Sequence, residues 1–279
     1  MKEKILTPNR IRLFQKQLLR EEKSPATVEK YLRDVTVFSG FAAGRPVTKE
    51  LVISYKQHLQ QQGYAVRSIN SMLASINSLL NFLSLPQCKA KAIRFQRQTY
   101  CPEDKELRKE EYLRLLRAAR GKPQLMLVME TICGTGIRVS ELRWFTLEAV
   151  RLGEITINCK GKTRNILIPG QLRKKLLQYA DTRQIRHGPI FLGEKGKPLD
   201  RCCIWASMKH LCAAAGVKAS KVFPHNLRKL FARTFYQAQK DIGKLADILG
   251  HSSIDTTRIY IMSTGREHRK QIERLGLVI

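Results

Sequence analysis

The stretch Ile242-Gly-Lys-Leu-Ala-Asp-Ile-Leu-Gly250-His251-Ser-Ser-Ile-Asp-Thr-Thr-Arg-Ile-Tyr260 reads as a helix, a stop and a second helix. Ile242, Leu245, Ala246 and Leu249 recur at the spacing of one helical face, and Gly250 suits the left-handed backbone that ends such a helix. Ser252, with Asp255 three residues on, resembles a capping box and predicts a short new helix carrying Tyr260. His251 is then held just past one helix end, and Tyr260, about two turns along the next helix, can converge on it. Taken alone, the segment favours a plainer arrangement in which Tyr260 packs in a core and His251 caps a helix.

The same helical period runs outward through the chain. Thr7-Pro8 starts a helix with Ile11, Phe14 and Leu18 on its apolar side, and Ser24-Pro25 starts another with Val28, Tyr31, Leu32, Val35 and Phe38. Thr48 caps a third, bearing Leu51, Val52, Tyr55 and Leu59 and stopping at Gly63. The fourth places Ile69, Met72, Leu73, Ile76, Leu79, Leu80 and Leu83 on one buried stripe. Four amphipathic helices with short connections predict a compact helical domain over residues 1–85. Residues 86–104 lack an apolar period and read as a basic linker, which leaves a second domain over 105–279.

That second domain opens with a helix around Tyr112, Leu113, Leu116 and Ala119, then an apolar helix from Leu125 to Cys133. Gly134-Thr-Gly-Ile-Arg138-Val-Ser-Glu141-Leu turns the backbone and presents Arg138 at a helix start, with Glu141 one turn on, placed to hold a guanidinium. The alternating runs 154–158 and 164–168 form a hairpin whose tip carries Lys160 and Lys162, and 189–192 reads as a further short strand. Pro224 suits a first helical position, which puts His225 and Arg228 near a helix N-terminus that favours anions. The fold class is therefore mainly α with a small β-hairpin, an α+β arrangement.

Charge narrows the function. The 279 residues hold 51 Lys and Arg against 23 Asp and Glu, a net charge of +28, which calls for a polyanionic partner. Nucleic acid is the first candidate and an anionic membrane surface the second, although no apolar run approaches the roughly 18 residues of a spanning helix. From Leu51 to Pro102 there is no acid at all, while Lys56, Arg67, Lys89, Lys91, Arg94 and Arg97 stand among amides and serines, a surface suited to phosphate contacts. Seven cysteines show no paired spacing with histidines for zinc, and the first residues lack the apolar core of a secretory signal. A cytoplasmic location, with no metal and no cofactor, is expected. From Ile155 onward the acids are sparse and scattered, which argues against a nuclease built on divalent ions.

Arg138, the hairpin Lys160, His225-x-x-Arg228, and Leu-Gly-His251 followed by Tyr260 form one ordered set. The chain thereby resembles the tyrosine site-specific recombinases of the phage integrase type, in particular the Xer-like branch. The resemblance covers nearly the whole chain, with the four-helix unit similar to that family's core-binding domain and 105–279 to its catalytic domain. It implies a DNA recombinase working without metal or ATP, with Tyr260 as nucleophile forming a 3'-phosphotyrosyl bond. Arg138 and Arg228 would stabilise the charged phosphate, His225 and His251 would add hydrogen bonds or take a proton, and Lys160 would protonate the leaving 5'-oxygen. Lys160 is chosen over Lys162 by its match to the Lys-Gly of the family hairpin.

The resemblance also implies double-stranded DNA with paired inverted repeats as substrate, a homotetramer on two sites, and a C-terminal segment, 264–279, that docks on a neighbouring protomer. A partner recombinase or accessory protein, and a nucleoid-associated bacterial setting, fit the same picture. Integration or excision of a mobile element and Xer-like resolution both stand open. The alternatives are a DNA-binding protein with a vestigial site and a relaxing enzyme of the type IB topoisomerase kind.

Overall fold

The computed structural model describes residues 4–94, 102–159, 162–193, 196–262 and 264–277. The chain divides into two compact units, Met1–Arg97 and Gln98–Ile279.

The first unit is four helices, α1 (Pro8–Arg20), α2 (Pro25–Ala42), α3 (Lys49–Gln61) and α4 (Val66–Phe82). Thr7 and Thr48 begin α1 and α3 by accepting from the Arg10 and Leu51 amides, as side chains with a short acceptor do at helix starts. Phe14, Leu18, Phe38, Tyr55, Leu73, Ile76 and Leu80 fill the core from all four helices. One carboxylate is buried among them: Asp34 accepts from Ser75 at 2.9 Å and pairs with Lys30 at 2.7 Å, which ties α2 to α4. Residues 86–93 continue onto this unit. The amide of Asn77 bonds both the N–H and the carbonyl of Ala90, and that of Asn70 does the same for Ile93.

The second unit runs α5 (Lys109–Ala118), α6 (Pro123–Thr135), a 3₁₀ turn (Val139–Trp144), α7 (Leu147–Leu152), β1 (Glu154–Cys159), β2 (Lys162–Leu167) and α8 (Gly170–Thr182). It continues with α9 (Arg201–Lys209), α10 (Cys212–Ala215), α11 (Pro224–Gln239), α12 (Ile242–Leu249), α13 (Ile254–Ile261) and α14 (Gly265–Glu273). β1 and β2 are antiparallel, with Glu154 opposite Leu167 and Ile157 opposite Arg164. Ile155, Ile157, Ile166 and Ile168 face the core, and Thr156, Asn158, Asn165 and Leu167 face out, the alternation a half-buried hairpin requires. α6, apolar on nearly every side, lies in the middle of the core and packs on α8 and α11.

Two local expectations change. The stretch 189–192 is not a strand: Pro189 and Leu192 make only isolated bridges, to Thr146 and Pro198, so among the described residues the sheet has two strands. The cap of α13 is Ser253, whose hydroxyl accepts from the Asp255 amide, and not Ser252. The Schellman-type turn closing α12 uses Gly250 and His251, which moves the next helix start one residue along.

Candidate active site

α12 ends at Gly250 with φ of 62°, and the His251 amide reaches back to the Ala246 carbonyl at 3.0 Å. The carbonyls of Ile248, Leu249 and Gly250 remain as unsatisfied acceptors at the negative end of the helix dipole. Each receives a different arginine. Arg164 Nη1 donates to Ile248 at 3.1 Å, Arg228 Nη2 to Leu249 at 2.7 Å, and Arg138 Nη2 to Gly250 at 3.4 Å. One helix end thus gathers three guanidiniums that would otherwise repel each other.

A single carboxylate helps it do so. Glu141, buried at the 3₁₀ turn, accepts from the Arg138 backbone N–H at 2.7 Å, from Arg138 Nη1 at 3.1 Å and from Arg164 Nη2 at 2.5 Å. Three guanidiniums against one carboxylate leave two positive charges in surplus. Such charge-assisted bonds are short and directional, so the groups are held before any anion arrives.

Arg228 rises from the second turn of α11 and is 1% exposed. Its Nη1 donates to the Gly136 carbonyl at the end of α6, and its Nε has no hydrogen-bond partner among the described residues. Burial, then the charge of Arg138, lower its pKa to about 10, with Tyr260 opposing the shift, and it stays cationic at neutral pH.

Close packing at two glycines makes this convergence possible. A Cβ on Gly136, where φ is 67°, would lie 2.4 Å from the Phe231 ring, and one on Gly250 would lie 2.7 Å from Arg164 Cδ and Nη1. Both positions need the left-handed backbone and the missing side chain together.

Tyr260, the penultimate residue of α13, is buried, with its ring against two imidazoles. The His225 ring stands edge-on at 5.0 Å, the His251 ring is tilted at 4.9 Å, and Arg228 Cζ lies 5.7 Å from the ring centre. His251 Nδ1 lies 2.9 Å from the buried Thr257 hydroxyl, and its Nε2 lies 3.0 Å from Arg228 Nη2. Burial, then the charges of Arg228, Arg138 and Arg164, push the His251 pKa down to about 4. His225 is also lowered to about 4, by loss of water and then by Lys229, Arg228 and Arg138. His225 stays partly open to solvent, and the three cations act in the same direction as its partial burial.

Of the residues singled out from the sequence, Arg138, Glu141, His225, Arg228, His251 and Tyr260 come together here. Lys160 lies outside the described residues. The backbone of Lys162 pairs with Cys159, and its side chain also lies outside what is described. Arg67, Lys91 and Arg94 are exposed on the first unit and Lys56 and Lys89 half-buried, while Arg97 falls outside the described residues.

Two members of the cluster were not among the sequence candidates, Arg164 and Thr257. Arg164 did leave a signal, since it is a charge on the inward register of β2, in line with Ile166 and Ile168. Thr257 left none. No group of three or more His, Cys, Asp or Glu among the described residues is disposed to hold a metal ion. No described helix is long and apolar enough to cross a membrane.

Comparison with known proteins bears on the whole chain. Residues 105–267 match the model of the phage integrase family, and residues 11–85 match its N-terminal SAM-like domain. The tyrosine recombinase XerA of Pyrococcus furiosus is 28% identical, over 100% of this chain and 98% of its own. XerD of Halalkalibacterium halodurans is 29% identical over 84% of this chain and 86% of its own. Among solved structures, a lambda integrase (75–356) dimer bound to a COC' core site superposes with a TM-score of 0.73 at 18% identity, covering 93% of this chain and 96% of that one. XerH bound to a difH substrate gives 0.69 at 16% identity, covering 97% and 89%.

Proposed function

The chain belongs to the phage integrase family, whose tyrosine recombinases are DNA strand-transfer enzymes of site-specific recombination, and from that premise we propose that Tyr260 is the nucleophile of a phosphotyrosyl mechanism. The observation that carries this is the seat of Tyr260, its ring against His225 and His251 and beside the buried Arg228.

In the proposed cycle the Tyr260 oxygen attacks the scissile phosphorus and forms a bond to the 3'-phosphate. The 5'-oxygen leaves and takes a proton from Lys160, and the tyrosine proton passes to a neutral histidine. Arg138 and Arg228 meet the charge that builds on the non-bridging oxygens, and the unpaired Nε of Arg228 is a donor still to be used. A 5'-hydroxyl from another strand then attacks the phosphotyrosyl bond, releases Tyr260 and rejoins the DNA, so phosphodiester energy is conserved without ATP.

Lys56, Arg67, Lys89, Lys91, Arg94, Arg97 and Lys162 are proposed phosphate contacts. Of the stretch 86–104, read as a basic linker between the domains 1–85 and 105–279, residues 86–93 belong to the first unit, which leaves the linking role to the rest. The substrate is double-stranded DNA with paired inverted repeats, met in the cytoplasm by a homotetramer. Residues 264–279 reach a neighbouring protomer in this reading. In support, α14 begins at a Thr264–Glu267 capping box beside Arg233, while Ile272, Leu275 and Leu277 stay exposed beyond it. Both mobile-element integration and Xer-like resolution use this chemistry.

The test is a pool of randomised duplexes carrying a nick, incubated with the protein and then denatured. DNA that remains attached identifies the site, and Tyr260→Phe should bind the recovered duplex and leave no attached protein. An adduct that survives in Tyr260→Phe places the nucleophile elsewhere. Cleavage lost to a chelator would indicate a metal-dependent nuclease, and relaxation of supercoils without site preference a topoisomerase.

A further inference from the structure

Five of the six charged or aromatic groups gathered around Tyr260 are accounted for by the proposed reaction or its support, and Arg164 is not. Its side chain is 13% exposed and bridges two acceptors on different elements, Glu141 at the 3₁₀ turn and the Ile248 carbonyl of α12. The backbone of Gly250 passes so close that a Cβ there would collide with the Arg164 Cδ and Nη1. The hairpin is thereby fastened to the α12 terminus on which Arg138, Arg228 and His251 depend.

We propose that Arg164 is a positioning residue for strand cleavage, which from β2 fixes the Glu141 carboxylate and the end of α12 so that Arg138 and His251 meet the scissile phosphate. The inference rests on the reading of Tyr260 as nucleophile. Arginine suits the place because a planar fork offers donors in two fixed directions, whereas one ammonium is a point charge at the end of a flexible stem. A carboxylate left with one guanidinium instead of two would let Arg138 swing, and Arg138 is the more exposed of the pair, at 43% against 13%. Small misplacement is costly in such a site, since about 1 Å can lower a rate on the order of 100-fold.

The experiment uses the full chain and the nicked duplex recovered by adduct selection. Arg164→Met and Arg164→Lys are compared with the parent for duplex affinity and for the single-turnover rate of adduct formation at saturating protein. Both variants should bind within about twofold of the parent, with Arg164→Met cleaving about 10- to 100-fold more slowly, the range typical of supporting residues around a reactive centre. Arg164→Lys should recover only part of that loss. Combined with Glu141→Gln, Arg164→Met should lose little more than the worse single variant, because the pair acts as a unit.

Cleavage by Arg164→Met within twofold of the parent overturns the inference, as does full rescue by Arg164→Lys, which would make the role one of charge alone. Parallel loss of affinity, rate and thermal stability in both variants overturns it too, since it marks a structural prop. Tyr260→Phe run alongside separates the two readings. If it is inactive while Arg164→Met is fully active, only this inference fails; if it forms the adduct, both do.

Discussion

Arg228 Nη2 lies 3.0 Å from His251 Nε2, and this one distance fixes the state of the imidazole. A guanidinium has hydrogens to give and no lone pair to offer, so Nε2 must be the acceptor and carry no proton. The remaining proton is on Nδ1, which donates to the Thr257 hydroxyl 2.9 Å away. His251 is therefore neutral in the free protein, in agreement with its depressed pKa.

A pH dependence follows. Both histidines titrate near 4 in the folded protein instead of near 6.5. The rate of adduct formation at sub-saturating DNA, which reports the free protein, should stay flat from pH 8 down to roughly 5 and fall only below that. An acid limb near pH 6.5 would show a histidine that is charged in the resting site.

Stability should follow the same two groups. Their folded values lie below the unfolded one, so the unfolded chain takes up protons first as pH falls. Their contribution is complete above about pH 6.5 and is lost progressively toward about 4. The melting temperature of the parent relative to His251→Gln should therefore decline across that window. A constant difference would contradict the depressed value.

Gly136→Ala and Gly250→Ala should each destabilise by about 1–3 kcal/mol, since both add backbone strain at positive φ and a collision. Gly44→Ala is the control. Its φ is 76° with open space around a Cβ, so only the conformational cost of about 1–2 kcal/mol applies. Urea unfolding of the three variants measures the difference, and adduct formation should fall further in the first two than in the third.

Lys91, Arg94 and Arg67 lie exposed on a unit whose segment 51–94 carries no acid. Replacing all three with Gln should weaken DNA binding across sequences. The slope of log affinity against log salt should become shallower by about 0.9 for each phosphate that the variant no longer neutralises. An unchanged slope would remove these residues from the interface.

Truncation after Thr264 removes α14 with its exposed Ile272, Leu275 and Leu277. Single-site binding should persist while assembly of two sites into one complex is abolished, read by native gel or light scattering with paired-site DNA. Intact assembly would confine residues 264–279 to their own unit.

The sequence carried much of the local structure and most of the site's inventory, Arg164 and Thr257 excepted. Periodicity placed the apolar faces of α1 to α4, Thr7 and Thr48 marked helix starts, and alternation marked β1 and β2, because each of these is decided by neighbours within a few residues. Gly250 as a helix stop was legible for the same reason. So were the identities of Arg138, His225, Arg228, His251 and Tyr260, since their order along the chain is a linear signal.

Their meeting was not legible. Arg228 bonds the Gly136 carbonyl across 92 residues, and Arg138 reaches the Gly250 carbonyl across 112. Only the packing of α6, α11 and α12 brings those acceptors within reach. The entry of Arg164 was hidden as well, because the same alternation that displays it on the inward face of β2 is silent about what waits there. What waits is a buried carboxylate and a helix end with unpaired carbonyls, and polar groups left unpaired in a core cost too much to stay so. Sequence named the groups, and the need to satisfy those buried acceptors decided where they meet.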